Sequence, residues 1–356
     1  MTAASQRAPD VVSTLAAMDQ RPAGTRRVGI RDVAAAAGVS PTTVSHALSG
    51  ARAINPDTRA RVLREVERLG YTPDPQARGL RQARTYTIGF LSDVIASTPH
   101  AGEVISGAQE VAAEHGSVLV VLDSRGDAGS EELQIRTLLS HRVDGFVYAR
   151  MFHQDVEVPA GLAGARVVLA NASTGRAGVS WVVPDEHGIG VTATQHLLDH
   201  GHRRIAFCTI GDAVPAAVGR ERGYRERLGA AVDESLVVRT SADARGGRAA
   251  GAALFDRDDR PTAVFCFNDE VAMGVYQAAA ERGLSVPGDV SVVGVDDLRI
   301  VAEALTPGLT TVALPHTEMG RWAVARLMDA IEGTPEPVGA KLPCALVERG
   351  SVARPR

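Results

Sequence analysis

IRDVAAAAGVSPTTVSHAL, residues 30–48, decides how the rest of the chain is read. Ile30, Val33, Ala34 and Ala37 recur at helical spacing and form one apolar stripe. Gly38 then supplies the left-handed residue that ends a helix and opens a tight turn. Ser40 is a favoured N-cap, and Pro41 follows at the first helical position, where its missing N–H costs nothing. Along this second helix Val44, Ala47 and Leu48 point inward. Thr42, Thr43, Ser45 and His46 are left outside, small polar side chains suited to phosphates and base edges. The pattern predicts a helix-turn-helix.

An ordinary helical hairpin would also present two helices and a glycine. The full string is more specific: Asp32-Val33-Ala34, Ala37-Gly38-Val39-Ser40, Thr43-Val44-Ser45, Leu48 and Gly50 together resemble the DNA-binding head of the lactose-repressor (LacI/GalR) family of bacterial transcription regulators. Ser40, Thr42, Thr43, Ser45 and His46 are therefore the candidate DNA contacts of the head, with Thr42, Thr43 and His46 as base readers. Where many family members carry arginine, this chain has His46, which cannot make arginine's fork to guanine.

Charge segregates along the chain. Residues 26–84 carry 11 arginines and 5 acids, a net +6, whereas everything from residue 85 onward sums to −10 within an overall −4. A basic head on an acidic body is the footprint of phosphate binding by the head alone. The single lysine, Lys341, reads as compositional bias. No apolar run of membrane-spanning length and no secretory signal pattern occur, which places the expected protein in the cytoplasm, away from membranes. Cys208, Cys266 and Cys344 are widely spaced in apolar surroundings and are expected as buried reduced thiols. No cofactor or metal is called for.

Residues 1–27 read as a disordered arm. A third helix is capped by Asn55, opened by Pro56 and stopped by Gly70, with Val62, Val66 and Leu69 inward, so the head spans residues 28–70. Residues 71–85 form a proline-punctuated linker, in which the resemblance implies a hinge helix that orders on operator DNA. Ala77 and Leu80 match its small and wedging positions in the minor groove, and Gly79 departs from the pattern by weakening the helix. Leu80 packed against the body is the alternative.

From Tyr86 strands alternate with amphipathic helices: strands at 87–91, 117–123, 145–149, 167–170, 204–209, 236–239, 263–267 and 291–295, and helices at 103–115, 130–141, 189–200, 220–228 and 270–282. This rhythm implies an α/β body of doubly wound parallel sheets. It resembles the two-lobed periplasmic-binding-protein-like body of the same family, with lobe 1 at about 86–184 and 315–340 and lobe 2 at about 185–314 and 341–352. The body spans residues 86–356.

Ligands of such sheets bind just past the carboxyl ends of strands. That singles out Asp93, Asn171, Asn268 with Asp269, and Asp296 with Asp297, together with Arg220 at the start of a helix. Arg220, Asn268 and Asp296 match positions with which family members hold ligand hydroxyls, and a guanidinium facing a carboxylate and an amide suits vicinal hydroxyls. Asn171 and Asp269 could instead merely cap helices. Phe152, Trp181 and His100 are candidate stacking partners.

Two motifs are set aside. Gly188-Ile189-Gly190-Val191-Thr192-Ala193 mimics a dinucleotide fingerprint but lacks its strand, turn and acid, and reads as the first turn of a helix. His196, His200 and His202 sit at a helix end and read as solvated or capping, not metal ligands. The chain is accordingly expected to be a homodimeric repressor, not an enzyme, that binds double-stranded operator DNA under control of a small polar effector, a sugar first and a nucleoside second. A solute-binding protein would share the body but not the basic head. An enzyme would have to use carboxylates such as Asp296 and Asp297, which diverge when adjacent on one strand.

Overall fold

The computed structural model describes residues 28–49, 52–71, 84–333 and 336–356. The chain divides into two units, Met1–Gln82 and Ala83–Arg356.

In the first unit, helices α1 (Ile30–Ala37), α2 (Pro41–Ser49) and α3 (Pro56–Leu69) enclose Val33, Ala34, Ala37, Val44, Ala47 and Val62. Gly38 and Gly70 close their helices in the left-handed conformation, at φ 63° and 60°. Ser40 Oγ accepts from the Thr43 amide at 3.1 Å and lies 2.9 Å from the Thr43 hydroxyl. Asn55 Oδ1 accepts from the Asp57 amide at 2.8 Å, so the predicted caps form. Arg61 of α3 donates to the Ala37 carbonyl at 2.9 Å, placing a cation at the negative end of α1.

The second unit holds two six-stranded sheets. The first is ordered β11-β5-β4-β3-β1-β2, built from β1 (Thr87–Ser92), β2 (Val118–Asp123), β3 (Gly145–Asp155), β4 (Val167–Ser173), β5 (Ser180–Pro184) and β11 (Gly339–Leu342). The second is ordered β12-β10-β9-β8-β6-β7, from β6 (Ile205–Ile210), β7 (Val237–Thr240), β8 (Ala263–Cys266), β9 (Ser291–Asp296), β10 (Thr310–Ala313) and β12 (Ala345–Val347). Every pairing is parallel except β10 with β12. The chain leaves the first sheet after Pro184 and returns through helix α11 (His316–Glu332); Lys341 lies within β11, so the last crossing follows Leu342.

Three helix pairs flank the sheets: α4 (Ala101–Glu114) with α11, α6 (Glu186–Asp199) with α7 (Pro215–Leu228), and α8 (Ala244–Phe255) with α9 (Asp269–Glu281). Each crosses at reciprocal glycines, Gly107 with Gly320, Gly190 with Gly223 and Gly247 with Gly274. A Cβ at any of them would overlap the partner helix's backbone. The glycines that mimic a dinucleotide motif thus serve α6: Gly188 takes the Asp185 cap and Gly190 permits contact with α7.

Several expectations need correction. Arg220 does not begin a helix, because Pro215 opens α7 and places Arg220 in its second turn. Strand β3 runs six residues past Ala149, through a register irregularity before Gln154. Helices α8 and α11 and strands β5 and β10 to β12 were not foreseen, although Met319, Ala323 and Leu327 of α11 have clear helical spacing. His202 is neither solvated nor a cap: it is buried, with Nδ1 2.9 Å from Thr262 Oγ1 and Nε2 2.8 Å from the Ala353 carbonyl, and fastens the C-terminal segment. Cys208 and Cys266 are buried free thiols, whereas Cys344 is half-buried. Trp181 lies on β5 against Gly339, away from any stacking role at the cleft.

Candidate functional site: an inter-lobe cavity and a helix-turn-helix face

On the head, Ser40 and Thr42 are exposed, and Thr43, Ser45 and His46 are half-buried on the same helix. Ser40 and Thr43 share their hydroxyls in the free head. Ala77 and Leu80, the hinge candidates, lie outside the described residues.

In the body, a cavity of about 370 Å³ opens where the carboxyl ends of β3 and β4 face those of β6, β8 and β9. The extension of β3 carries Met151, Phe152, His153 and Gln154 into its wall. Four of the five ligand candidates, Asn171, Arg220, Asn268 and Asp296, line it together. Asp93 does not: its Oδ1 accepts from the amides of Val94 at 2.9 Å and Met151 at 3.1 Å, so it holds Met151 from behind.

Arg220 is buried, and its Nε donates to Glu186 Oε2 at 2.8 Å. A second nitrogen donates to the Phe267 carbonyl at 2.5 Å, and the guanidinium carbon stands 4.6 Å from the Phe267 ring centre. The other oxygen of Glu186 lies 3.2 Å from His153 Nδ1. Burial works against ionisation of Glu186, but the Arg220 charge and the His153 bond outweigh it, and the carboxyl stays below its usual range.

Asp296 sits at the end of β9 with φ 115°, followed by Asp297 at φ 55°. Burial, moderated by Arg220, pushes its carboxyl up to about 7. Behind it, the fully buried Asp269 accepts from the Thr311 hydroxyl at 2.6 Å and the Leu298 amide at 2.7 Å, bracing this strained turn.

The capping alternative given to Asn171 and Asp269 belongs to Asn268, whose Oδ1 accepts from the Val271 amide at 2.8 Å while its Nδ2 donates to the Ala242 carbonyl at 2.9 Å. Asn171 is buried at φ 53°, and its Oδ1 has no partner. His100, named as a stacking candidate, stacks on His316, with ring centres 4.6 Å apart and planes 9° apart.

Sequence reasoning missed Glu186, His153, Asp212, Phe267 and His316. Phe267 adjoins Asn268 and was one residue away; Glu186 and His316 each begin a helix where the chain crosses between sheets, a position that carries no local motif.

Known proteins fit this geometry. The family described as bacterial regulatory proteins, lacI family, matches residues 29–74, and the periplasmic binding protein-like domain matches residues 194–352. The ribose operon repressor of Escherichia coli (strain K12) is 35% identical over 332 residues, covering 90% of this chain and 99% of that protein. The HTH-type transcriptional regulator DegA of Bacillus subtilis is 36% identical over 299 residues, covering 82% of this chain and 88% of that one. Among solved structures, the transcriptional regulator CelR in complex with cellobiose superposes with a TM-score of 0.66 at 34% identity, over 91% of this chain and all of that one. The fold and site define a ligand-responsive DNA-binding transcription regulator. The chain belongs to the lacI family of bacterial regulatory proteins.

Proposed function

We propose that the protein is a homodimeric cytoplasmic repressor, without catalytic activity, whose operator affinity is set by a sugar held between the lobes at Arg220, Asn171, Asn268 and Asp296. The carrying observation is that four polar side chains from separate elements converge on one cavity: Arg220, Asn171, Asn268 and Asp296 line it with Phe267 and Phe152. Hydroxyl-matched polar groups beside aromatic faces are suited to a polyol ring. The name of the ribose operon repressor and the cellobiose in the CelR structure support a sugar over a nucleoside.

Two heads of a dimer would set their α2 helices in successive major grooves, with Ser40, Thr42, Thr43, Ser45 and His46 at the DNA. Residues 28–70 then form the DNA-binding head, 71–85 the hinge with Ala77 and Leu80 in the minor groove, and 86–356 the two-lobed body. Val118 on edge strand β2, with Leu133 and Leu139 on helix α5 (Ala128–Ser140), are exposed apolar side chains on one lobe that support pairing with a second copy.

Selection of bound sequences from a random duplex pool tests this reading. A near-palindromic consensus with a flexible central step is expected, and His46→Arg should add a guanine preference at one position of each half-site. Recovery of unrelated sequences bound only through salt-sensitive contacts would count against it.

A further inference from the structure

We propose that the effector is an uncharged polyhydroxy ring, not a sugar phosphate or sugar acid, and that His316 reads its hydroxyls from the first lobe. The inference rests on the reading of this cavity as the effector site.

Charge comes first. Among the described residues that line the cavity, Arg220 is the only arginine or lysine, while Glu186, Asp212 and Asp296 supply carboxyls. The Arg220 charge is already balanced by Glu186, and a further N–H is given to the Phe267 carbonyl, so an incoming anion would meet no uncompensated arginine or lysine among the described lining residues. Helix N-termini could otherwise hold a phosphate through their amides. Two of those ends carry the chain's own acids: α6 opens with the Asp185 cap and Glu186, and α9 opens with Asp269 and Glu270 after the Asn268 cap. Helix α7 opens on Val214 and Pro215 with no acid in its first turn, but Asp212 of the same wall precedes it by three residues. An anion entering this cavity would lose its hydration and meet like charge.

The first lobe's wall points the same way. His316, the first residue of α11, is 3% exposed, and neither of its ring nitrogens has a hydrogen-bond partner. Burial, with His100 and Arg220 nearby, lowers it to about 3, so the imidazole is neutral at physiological pH. A neutral imidazole offers one donor and one acceptor. Asn171 Oδ1, also unpartnered, offers a further acceptor. Sugar hydroxyls donate and accept and can satisfy this set, whereas an ionised phosphate or carboxylate group set against these same atoms would only accept and would leave their acceptors unpaired. Stacking on His100 fixes the His316 ring plane and so the direction of its bonds.

The test is calorimetric titration of the full chain at neutral pH with D-ribose, D-glucose, sucrose and cellobiose, and with ribose 5-phosphate, glucose 6-phosphate and D-glucuronate. At least one neutral sugar is expected to bind, with its charged counterpart weaker by roughly a hundredfold or more, as for a buried polar site left unpaired. A charged form that binds as tightly as its neutral parent would overturn the inference while leaving the sugar reading standing. Absence of binding by every compound would overturn the sugar reading and this inference with it.

His316→Leu separates recognition from folding. Because the buried nitrogens are unpartnered in the free protein, leucine should hold or raise the Tm of the free chain while weakening the neutral sugar by roughly tenfold or more. His316→Gln, which keeps a donor and an acceptor, should retain most of the affinity. Sugar affinity unchanged by His316→Leu, or a lowered Tm with both variants, would remove His316 from the recognition role.

Discussion

Glu186 and Arg220, thirty-four residues apart, meet at 2.8 Å with both side chains about 95% buried, joining the first turn of α6 to the second turn of α7. A buried carboxylate stripped of its cation is more costly than the pair was favourable. Arg220→Ala should therefore lower unfolding free energy by about 3–5 kcal/mol, measurable by urea denaturation. Glu186 ionises below its usual range in the fold, so its contribution is full above the unfolded value near 4.3 and is lost as pH falls through the folded value. The Arg220→Ala defect should accordingly shrink in acid.

Asp296 has the opposite sign. With its carboxyl pushed up to about 7, the native state holds this proton more tightly than the unfolded chain, so this group's contribution is largest below the unfolded value near 3.9, declines as pH rises, and levels off above about 7. Sugar hydroxyls that donate to the carboxylate favour its ionised form. Sugar affinity should rise between pH 6 and 8, with a proton released on binding. Titrations in two buffers of different ionisation enthalpy measure that proton, and the release should vanish in Asp296→Asn.

Gly190 lies directly behind Arg220, and a Cβ there would overlap the Arg220 backbone carbonyl. Overpacking between backbones cannot be relieved by a rotamer. Gly190→Ala should cost about 1–3 kcal/mol by denaturation and should also weaken sugar binding, because α7 must shift with Arg220 on it. Gly247→Ala, at the equivalent crossing of α8 and α9, should cost similar stability with a smaller effect on the sugar.

Ser40→Ala removes the cap of α2 and releases the Thr43 hydroxyl. The head should lose about 1 kcal/mol, seen as a lower melting temperature for its transition. Operator affinity should fall while sugar affinity stays constant.

The head was legible because its signals are local: Gly38, Ser40, Pro41, Asn55 and Gly70 each fix a boundary through their own backbone chemistry. The alternation of strands and helices was legible for the same reason, as were Asn171, Asn268 and Asp296 near the carboxyl ends of strands, although β4 runs on through Asn171 to Ser173 and β9 ends on Asp296 itself, so that only Asn268 lies past its strand. Glu186, His153 and His316 were not, since each reaches the cavity through a crossing between sheets or a strand that outruns its apolar pattern. Gly190 shows why a motif needs its context: its stretch mimics a phosphate loop, yet lacking the strand, turn and acid it reads as a helix start, and in the fold it is a helix contact, because close backbone approach demands glycine in both settings.

The central claim is that one molecule couples the cavity to the operator. It is tested most directly by fluorescence anisotropy of the full chain on its selected operator, with the sugar identified by calorimetry titrated in at fixed salt. The account predicts a change in operator Kd of roughly 5- to 150-fold at saturating sugar, equivalent to about 1–3 kcal/mol of coupling, and no change with Arg220→Ala. A sugar that saturates the cavity and leaves operator affinity untouched would contradict it.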